Sequence, residues 1–270
     1  MTPCVLFRPG VSDEDEELAV RRHFPVYTYR AEVPAGSLVV GRYACLPFYN
    51  ELEKDVELLG SRLVNTYREH CYVAQLDYYE DLRDVTFPTW FRFEEVPQSE
   101  RANAFVVKGR TNSRKSEWFT KMYAPNFQAA VNMGADLATD GLIGTQGVVL
   151  RKYVPLETFE TSVKGTPVTN EWRLFYFRGQ RLAHGYYWGN ISDWAPVHAA
   201  TAEFERTGLA FADAVAVRLV DKIPFVVIDI ARDTAGKWWV VELNDGCQSG
   251  LNGVIDPDVL YGALRKSLQA

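Results

Sequence analysis

Short runs of apolar residues, separated by turn-forming residues, mark strands along the chain. CVLF at Cys4, SLVVGRYACL from Ser37 and NAFVVKGR up to Arg110 are such runs, and each is predicted to be a strand. A longer period occurs from Pro47 to about Tyr67, where apolar side chains recur every three or four positions and predict an amphipathic helix. These apolar positions are Leu52, Val56, Leu59, Leu63 and Tyr67.

Helices and hairpins are predicted over much of the remaining chain. Asp13 to His23 is predicted to be a helix, because acidic residues occupy its first turn and basic residues its last, as the helix dipole favours. Apolar spacing predicts further helices from Phe127 to Leu137 and from Glu203 to Val220. NEWRLFYF and RLAHGYYW flank Arg178-Gly179-Gln180 and predict one hairpin, and FVVIDIAR and KWWVVELN flank DTAG and predict another.

The pattern changes near Arg101. Before this point, β runs alternate with helices, which predicts a small α/β lobe over residues 1–100. After it, a compact strand is followed by the polar segment TNSRKSE, Thr111 to Glu117, and later by the two hairpins. We therefore expect a second domain over residues 101–270, and a mixed α/β or α+β fold for the whole chain.

Polar residues interrupt the last predicted hairpin on one face only. Strand side chains alternate between two faces, and each of these strands has one wholly apolar set. The apolar sets are Val226, Ile228 and Ile230 on the first strand, and Trp239, Val241 and Leu243 on the second. If both sets face the same side, then Asp229, Glu242 and Asn244 share the opposite face.

The register of this hairpin sets the distance between the two carboxylates. With a turn from Asp233 to Gly236, Val227 lies opposite Glu242, and Asp229 is a diagonal neighbour of Glu242 with Cβ atoms roughly 7 Å apart or less. Two ionised carboxylates about 6 Å apart repel by roughly 3 kcal/mol at an effective dielectric constant of ~20. A hard cation such as Mg²⁺ would offset this repulsion. The alternatives are a wet sheet rim, or structural ion pairs with Arg173 and lysines.

Basic residues on other strands favour a bound nucleotide. Lys108 ends a strand, Lys152 lies within another, and Glu171 and Arg173 share one face of NEWRLFYF. A lysine at a strand end is most often only solvent-exposed. Together, however, cations on several strands and a carboxylate and amide pair fit a nucleotide triphosphate whose phosphates are neutralised by cations and Mg²⁺.

Composition and charge exclude several classes of protein. The 270 residues are 47% hydrophobic and 24% charged, which is typical of a globular protein, and no apolar run is long enough to cross a bilayer. The net charge of −6 argues against nucleic acid held by overall charge. The four cysteines form no zinc or disulfide pattern, and the first residues do not resemble a secretory signal, so we expect a cytoplasmic protein without a membrane partner.

These residues resemble the ATP-grasp superfamily. Asp229, followed thirteen positions later by Glu242 in Glu-Leu-Asn, resembles its metal-binding pattern. FVVKG, with Lys108, resembles its nucleotide-contacting strand, and LRKYVPLE, Leu150 to Glu157, resembles the hinge between its two subdomains. The resemblance covers about Asn103 to Leu251, and SLVVGRYACLPFYNELEKDVELLGSRL and VVKGRTNSRKSEW resemble a bacterial and viral branch. It implies an ATP-grasp fold, in which two α/β subdomains grip ATP between antiparallel sheets, for residues 101–270.

The resemblance also implies roles for individual residues. Lys108 and Lys152 would contact the nucleotide, the backbone at Tyr153 and Val154 would read the adenine edge, and Glu157 would hold the ribose hydroxyls. Asp229, Glu242 and Asn244 would ligate Mg²⁺, with Mn²⁺ as an alternative. Thr111 to Glu117 would be a mobile cover that brings Arg114 or Lys115 to the phosphates, although it lacks the usual glycines. Glu171 belongs to the same cofactor-binding set.

The chain departs from the superfamily pattern at Val227, where many members have an arginine two residues before the metal-binding aspartate. We expect Arg173, on a neighbouring strand, to supply that charge, and we assign catalytic roles to Arg173 and Lys108. Tyr187 and Trp188 belong to an aromatic cluster that either lines an acceptor pocket or packs beside the hairpin.

The implied activity is carboxylate–amine ligation, in which ATP phosphorylates a carboxylate and an amine attacks the acyl phosphate. The partners would be ATP, a carboxylate substrate and an amine acceptor that is a small molecule or a peptide. A phosphotransferase and a non-catalytic nucleotide-binding module on the same scaffold are the alternatives. The sequence leaves the oligomeric state open, a homodimer included.

Overall fold

The structure, a computed structural model, describes residues 1–12, 14–189 and 191–269. Over these residues the chain forms three four-stranded sheets and one two-stranded hairpin. The strands are β1 Thr2–Leu6, β2 Val26–Tyr27, β3 Ser37–Val40, β4 Arg62–Leu63, β5 Thr89–Trp90, β6 Phe105–Gly109, β7 Tyr123–Ala124, β8 Val148–Lys152, β9 Thr158–Thr161, β10 Pro167–Thr169, β11 Glu171–Phe177, β12 Gln180–Tyr186, β13 Phe225–Arg232 and β14 Trp238–Asp245. The α-helices are α1 Glu14–His23, α2 Tyr49–Leu58, α3 Tyr67–Ala74, α4 Tyr78–Leu82, α5 Phe127–Ala138, α6 Ala195–Glu203, α7 Leu209–Arg218 and α8 Pro257–Gln269.

The first sheet is parallel, with strand order β2-β1-β3-β4. The strands predicted at Cys4 and Ser37 are confirmed as β1 and β3. The first helix is confirmed from Glu14 to His23, and Asp13, its predicted first residue, lies outside the described residues.

The predicted helix from Pro47 to about Tyr67 is wrong in its second half. Helix α2 ends at Leu58, and Gly60 follows with a φ of +64°, a left-handed conformation that glycine adopts without strain and that ends the helix. Leu63 is buried in β4 instead. Thr66 then caps α3 by accepting a hydrogen bond from the Glu69 backbone N–H. The helical spacing continued only because a buried strand position and a new helix happened to fall on it.

The second sheet is antiparallel, with order β5-β8-β6-β7, and α5 packs against it. The predicted strand NAFVVKGR and the predicted helix from Phe127 to Leu137 are confirmed as β6 and α5. Strand β5 precedes residue 100 and nevertheless pairs with β8. The division of the chain at residues 100 and 101 stays a prediction.

The third sheet carries both predicted hairpins in the order β12-β11-β13-β14, and both are confirmed. One face packs on α6 and α7, which a π-helical turn, Phe204–Gly208, joins into one helical stretch. The predicted helix from Glu203 therefore begins earlier, at Ala195. The other face packs, at one end, on β1, α1 and α8.

None of the helices that the structure describes combines the length and apolar character needed to cross a membrane.

Candidate functional site

The carboxylates of Asp229 and Glu242 lie on directly opposite residues of β13 and β14. The predicted register, with Val227 opposite Glu242, is wrong, because Val227 pairs with Asn244. The cause is a β-bulge next to Asp229, where Ile230 pairs with Val240 and Val241 is the extra residue. The three polar residues still share one face, as predicted, since Arg173 on β11 also pairs with Asp229.

The bulge also changes the apolar set of β14. Trp238, Val240 and Leu243 enter the core beside Ile228 and Ile230, in place of the predicted Trp239 and Val241. Trp239 lies on the other face and stacks on Phe87, with ring centroids 5.6 Å apart. Thus the bulge lets Glu242 face Asp229 directly while the strand still buries an apolar face.

Cationic side chains offset the charge of this carboxylate pair. Arg173 donates two hydrogen bonds to Asp229, from Nε to Oδ1 at 2.9 Å and from Nη2 to Oδ2 at 2.7 Å, and Asp229 is fully buried. Lys108 Nζ donates to Glu242 Oε2 at 2.8 Å. Asn244 Nδ2 lies 3.3 Å from both Asp229 Oδ2 and Glu242 Oε1 and bridges them. The carboxylates therefore form the ion pairs that the sequence allowed, and the wet-rim alternative is wrong.

The charges of this cluster are strongly interdependent. Burial would raise the pKa of Glu242, but Lys108 and Lys115 outweigh it and hold that pKa well below its usual range. Burial lowers the pKa of Lys108, although Glu242 opposes the change. The Glu242 carboxylate therefore stays ionised at neutral pH, with its negative charge facing the cavity described next.

A cavity between the second and third sheets holds most of the residues that the sequence singled out. The predicted site residues that line it are Lys108, Lys115, Lys152, Tyr153, Val154, Glu171 and Glu242. Lys108 and Glu242 mark one end, and Tyr153 and Val154, which follow β8, mark the other. Lys152 forms an ion pair with Glu100 at 2.8 Å. The cavity is therefore charged at one end and more apolar at the other.

Glu171 lies between these two ends and has an unpartnered oxygen. It is two residues before Arg173 on β11, which places it about 7 Å back along the strand toward the loop after β8. Oε2 accepts a hydrogen bond from Thr169 Oγ1 at 3.1 Å, whereas the buried Oε1 has no hydrogen-bond partner among the described residues. Burial raises the pKa of Glu171 to about 7, with Lys115 opposing and Asp229 reinforcing the rise. A buried acceptor without a donor is the mark of a ligand contact.

The polar segment Thr111 to Glu117 brings one of its two predicted cations to the cavity. Lys115 Nζ donates to Tyr187 Oη at 2.8 Å and lies 4.3 Å from the centre of that ring. Burial would lower the pKa of Lys115, but Glu171 and Tyr187 outweigh it and raise the pKa. Arg114 is instead held outside the cavity lining by Asp140, with Nε 2.9 Å from Oδ2.

Three predicted residues lie behind or beside the cavity lining. Arg173 and Asp229 lie beneath it, and Arg173 Nη1 also donates to the Gly250 carbonyl at 2.9 Å. Glu157 is outside the lining, where its Oε2 accepts from Asn170 Nδ2 at 2.9 Å. The backbone N–H of Glu157 donates to the Arg232 carbonyl, which ties the start of β9 to β13.

Several lining residues were not singled out from the sequence. They are Phe87, Val106, Trp118, Met122, Arg151 and Thr169. Arg151 is the least expected, because it is buried and donates from Nη1 to the Val241 carbonyl and from Nε to Thr89 Oγ1 at 3.2 Å. It thereby fastens the bulged strand to the second sheet. Its position between Leu150 and Lys152 in the hinge motif was the one available signal.

The donor set of Asp229, Glu242 and Asn244 fits Mg²⁺, which prefers carboxylate and amide oxygens and retains several waters. The fit rests on two carboxylates on directly opposite residues, with an amide within 3.3 Å of both. Among the described residues, no group of three or more His, Cys, Asp or Glu side chains is arranged to hold a metal ion. The protein alone therefore supplies an incomplete shell, as is usual where substrate phosphates complete it.

Sequence comparison assigns most of the chain to one family. A family model described as an ATP-grasp domain, the third family of its clade, matches residues 97–264. No curated protein matches the chain.

Comparison with solved structures agrees with this assignment. The chain is similar to an ATP-grasp RimK domain protein from Sphaerobacter thermophilus, with 13% identity, a TM-score of 0.57 and full coverage of both chains. It is similar to the D-cycloserine synthetase DcsG, with 16% identity, a TM-score of 0.54, and 98% and 99% of the two chains covered. It is also similar to the ATP-grasp ligase PsnB in complex with a minimal precursor, Mg and ADP, with 13% identity, a TM-score of 0.54, and 99% and 98% covered. These likenesses show the fold.

Proposed function

Because this chain belongs to the ATP-grasp family, we propose that it is an ATP- and Mg²⁺-dependent ligase that joins a carboxylate to an amine. The observation that carries the proposal is the cavity between the second and third sheets, with Lys108 and Glu242 at one end and Tyr153 at the other. Its charged end suits phosphates, and its other end suits a base. The similar proteins DcsG and PsnB are a synthetase and a ligase.

ATP would lie along the cavity. The backbone at Tyr153 and Val154 would contact the adenine, and Lys108, Lys115 and Lys152 would contact phosphate oxygens, since all five residues line the cavity. Lys115 lies on the segment we predict to cover the phosphates. Arg114 would reach them only if its ion pair with Asp140 opened.

Asp229, Glu242 and Asn244 would hold Mg²⁺. When bound, Mg²⁺ neutralises phosphate charge and polarises the phosphoryl group. Binding would draw Glu242 away from Lys108, whose ammonium group would then be free to contact a phosphate oxygen instead. Arg173 would keep Asp229 ionised and oriented through its two hydrogen bonds.

The reaction would proceed in two steps. A substrate carboxylate oxygen attacks the γ-phosphorus of ATP, the bond to the β-phosphate oxygen breaks, and ADP leaves with an acyl phosphate formed. The amine then attacks the acyl carbon, inorganic phosphate leaves, and the amine loses a proton. Lys108 would stabilise the charge on the phosphoryl oxygens in the first step.

Phosphate release tests the proposal. Pools of amino acids and dipeptides are mixed with Mg·ATP and the protein, and we expect phosphate only where both a carboxylate and an amine are present. A stable phosphorylated product formed without an amine would instead identify a phosphotransferase. Stabilisation by Mg·ATP without turnover would identify a binding module.

Glu171 is expected to contact the ribose, in place of the Glu157 that sequence alone suggested. Its free Oε1 lies in the cavity between the base and phosphate ends, whereas Glu157 is outside the lining. We expect Glu171→Ala to weaken ATP binding roughly 5- to 30-fold, the effect of losing hydrogen bonds to a buried acceptor. Affinities for ATP and for 2′-deoxy- and 3′-deoxy-ATP, measured by calorimetry, check this.

The matched control is Glu157→Ala. The wild-type protein should bind at least one deoxynucleotide more weakly than ATP, Glu171→Ala should lose that discrimination, and Glu157→Ala should keep it. Discrimination lost in Glu157→Ala and kept in Glu171→Ala would return the ribose role to the residue that the resemblance implied.

A further inference from the structure

A second cavity lies in the N-terminal lobe, at the carboxyl ends of its parallel strands. Its volume is about 300 Å³, and its lining includes Arg8, Thr28, Arg30, Leu46, Pro47 and Phe48. These residues follow β1, β2 and β3, which end at Leu6, Tyr27 and Val40. The strand order β2-β1-β3-β4 places the first connection on one side of β1 and the second on the other. In open parallel sheets, ligands bind in the crevice at such a switch point.

The polar part of this cavity is cationic. Arg30 Nη1 pairs with Asp55 Oδ2 at 2.6 Å, so the charge of Arg30 is offset locally. The exposed Arg8 guanidinium donates from Nη1 to the neutral carbonyl of Leu46, at 3.3 Å. The cavity therefore presents a guanidinium in a chain whose net charge is −6, and this charge is complementary to an anion.

The rest of the wall is apolar and partly open to solvent. Leu46 and Phe48 are 47% and 60% exposed, and Pro47 lies between them. A wall that combines a guanidinium with exposed apolar side chains matches a ligand that has a carboxylate and an apolar group close together. The volume is at the lower end of the range for small-molecule sites, so the ligand is about the size of one or two residues.

We propose that this cavity binds the α-carboxylate of an apolar amino-acid residue, with Arg8 as the carboxylate contact and Leu46 and Phe48 as the apolar contacts. The same chemistry is offered by a free amino acid and by the carboxyl terminus of a short peptide. The inference goes beyond the proposed ligase function and does not depend on it, because binding is measured without nucleotide.

The cavity wall is connected to the strand that carries the candidate metal ligands. Between β3 and Leu46, the Gly41 carbonyl accepts a hydrogen bond from Gln248 Nε2 at 3.0 Å, and the Tyr43 N–H donates to the Cys247 carbonyl at 2.9 Å. Both partners belong to the loop that follows β14. A ligand held at Arg8 would therefore lie against a segment that contacts this loop.

Calorimetric titration of the full chain, without nucleotide, tests the proposal. The probes are L-leucine, Gly-L-leucine and their C-terminal amides. We expect the carboxylates to bind and the amides to bind roughly tenfold more weakly or not at all, the loss expected for one charge-assisted hydrogen bond. Binding by both carboxylates supports a peptide end as well as a free amino acid, and binding by leucine alone supports the free amino acid.

Arg8→Gln locates the contact. It should lower the affinity for the carboxylates roughly tenfold and leave the weak binding of the amides unchanged. Thr28→Trp, a substitution at an exposed lining residue, should block both probes by filling the cavity. Arg68→Gln removes an equal charge from an exposed position outside the cavity and should change nothing.

Three results would overturn the proposal. They are equal affinities for amides and carboxylates, equal losses in Arg8→Gln and Arg68→Gln, and absence of binding to the wild-type chain. Loss of ATP-dependent phosphate release in a separate assay would overturn the ligase function alone, because these titrations contain no nucleotide.

Discussion

Replacing Glu242 with glutamine is expected to lower ATP turnover roughly 10²- to 10³-fold, the loss typical of removing one charge-stabilising group from an active site. The substitution keeps the shape of the side chain and removes its negative charge from the face it shares with Asp229 and Asn244. It also leaves the buried Lys108 without the anionic partner that lies 2.8 Å away. Steady-state phosphate release, with the acid and amine found in the substrate screen, measures the effect.

Glu205→Gln is the matched control for this prediction. Glu205 is exposed in the π-helical turn after α6 and lies outside the cavity lining, so its neutralisation should leave turnover within about twofold. Thermal unfolding of both variants separates lost chemistry from lost structure. Turnover retained by a folded Glu242→Gln protein would show that the released phosphate does not come from this site.

The site was predictable where a local pattern fixes which way a side chain points. Strict alternation along FVVIDIAR and NEWRLFYF placed Asp229, Glu171 and Arg173 on one face, and the structure confirms this because Arg173 pairs with Asp229 across the sheet. The apolar positions of β13 made any other orientation costly. The same reasoning brought Glu242 and Asn244 to that face.

The register and its bulge could not be obtained in this way. Alternation along KWWVVELN is satisfied both with Val241 inside and with Val240 inside, because both are valines and both flanking positions are tryptophans. What selects Val240 is a contact distant in sequence, since its N–H donates to the Val85 carbonyl and its carbonyl accepts from Thr86 Oγ1. A single-strand pattern contains no information about such a partner.

Long-range pairing also explains the other differences between prediction and structure. Arg114 was expected near the phosphates because of its place in a polar segment, and Asp140, 26 residues later, holds it elsewhere. Glu157 was expected at the ribose, and Asn170 and Arg232 hold its carboxylate beside the cavity. In each case the residue type was informative, but the partner that fixes its direction lies on another element.

Arg173→Ala is expected to destabilise the fold by about 3–5 kcal/mol, because it leaves the fully buried Asp229 carboxylate without its charged partner. It should also release the Gly250 carbonyl, which Arg173 Nη1 holds at 2.9 Å. Urea unfolding measures the change in the free energy of unfolding. The control is Arg206→Ala, which breaks an exposed pair with Glu203 and should cost less than about 1 kcal/mol.

A double-mutant cycle with Asp229→Ala isolates the pair itself. Each single substitution strands a buried charge, whereas the double substitution removes both, so its cost should be at least about 2 kcal/mol below the sum of the single costs. ATP turnover should nevertheless be lost in all three variants, because Asp229 is a proposed ligand of Mg²⁺ and Arg173 orients it. Additive stability costs would show that the two side chains do not stabilise each other. Unchanged ATP affinity and turnover in Arg173→Ala would show that this arginine does not supply the charge absent at Val227.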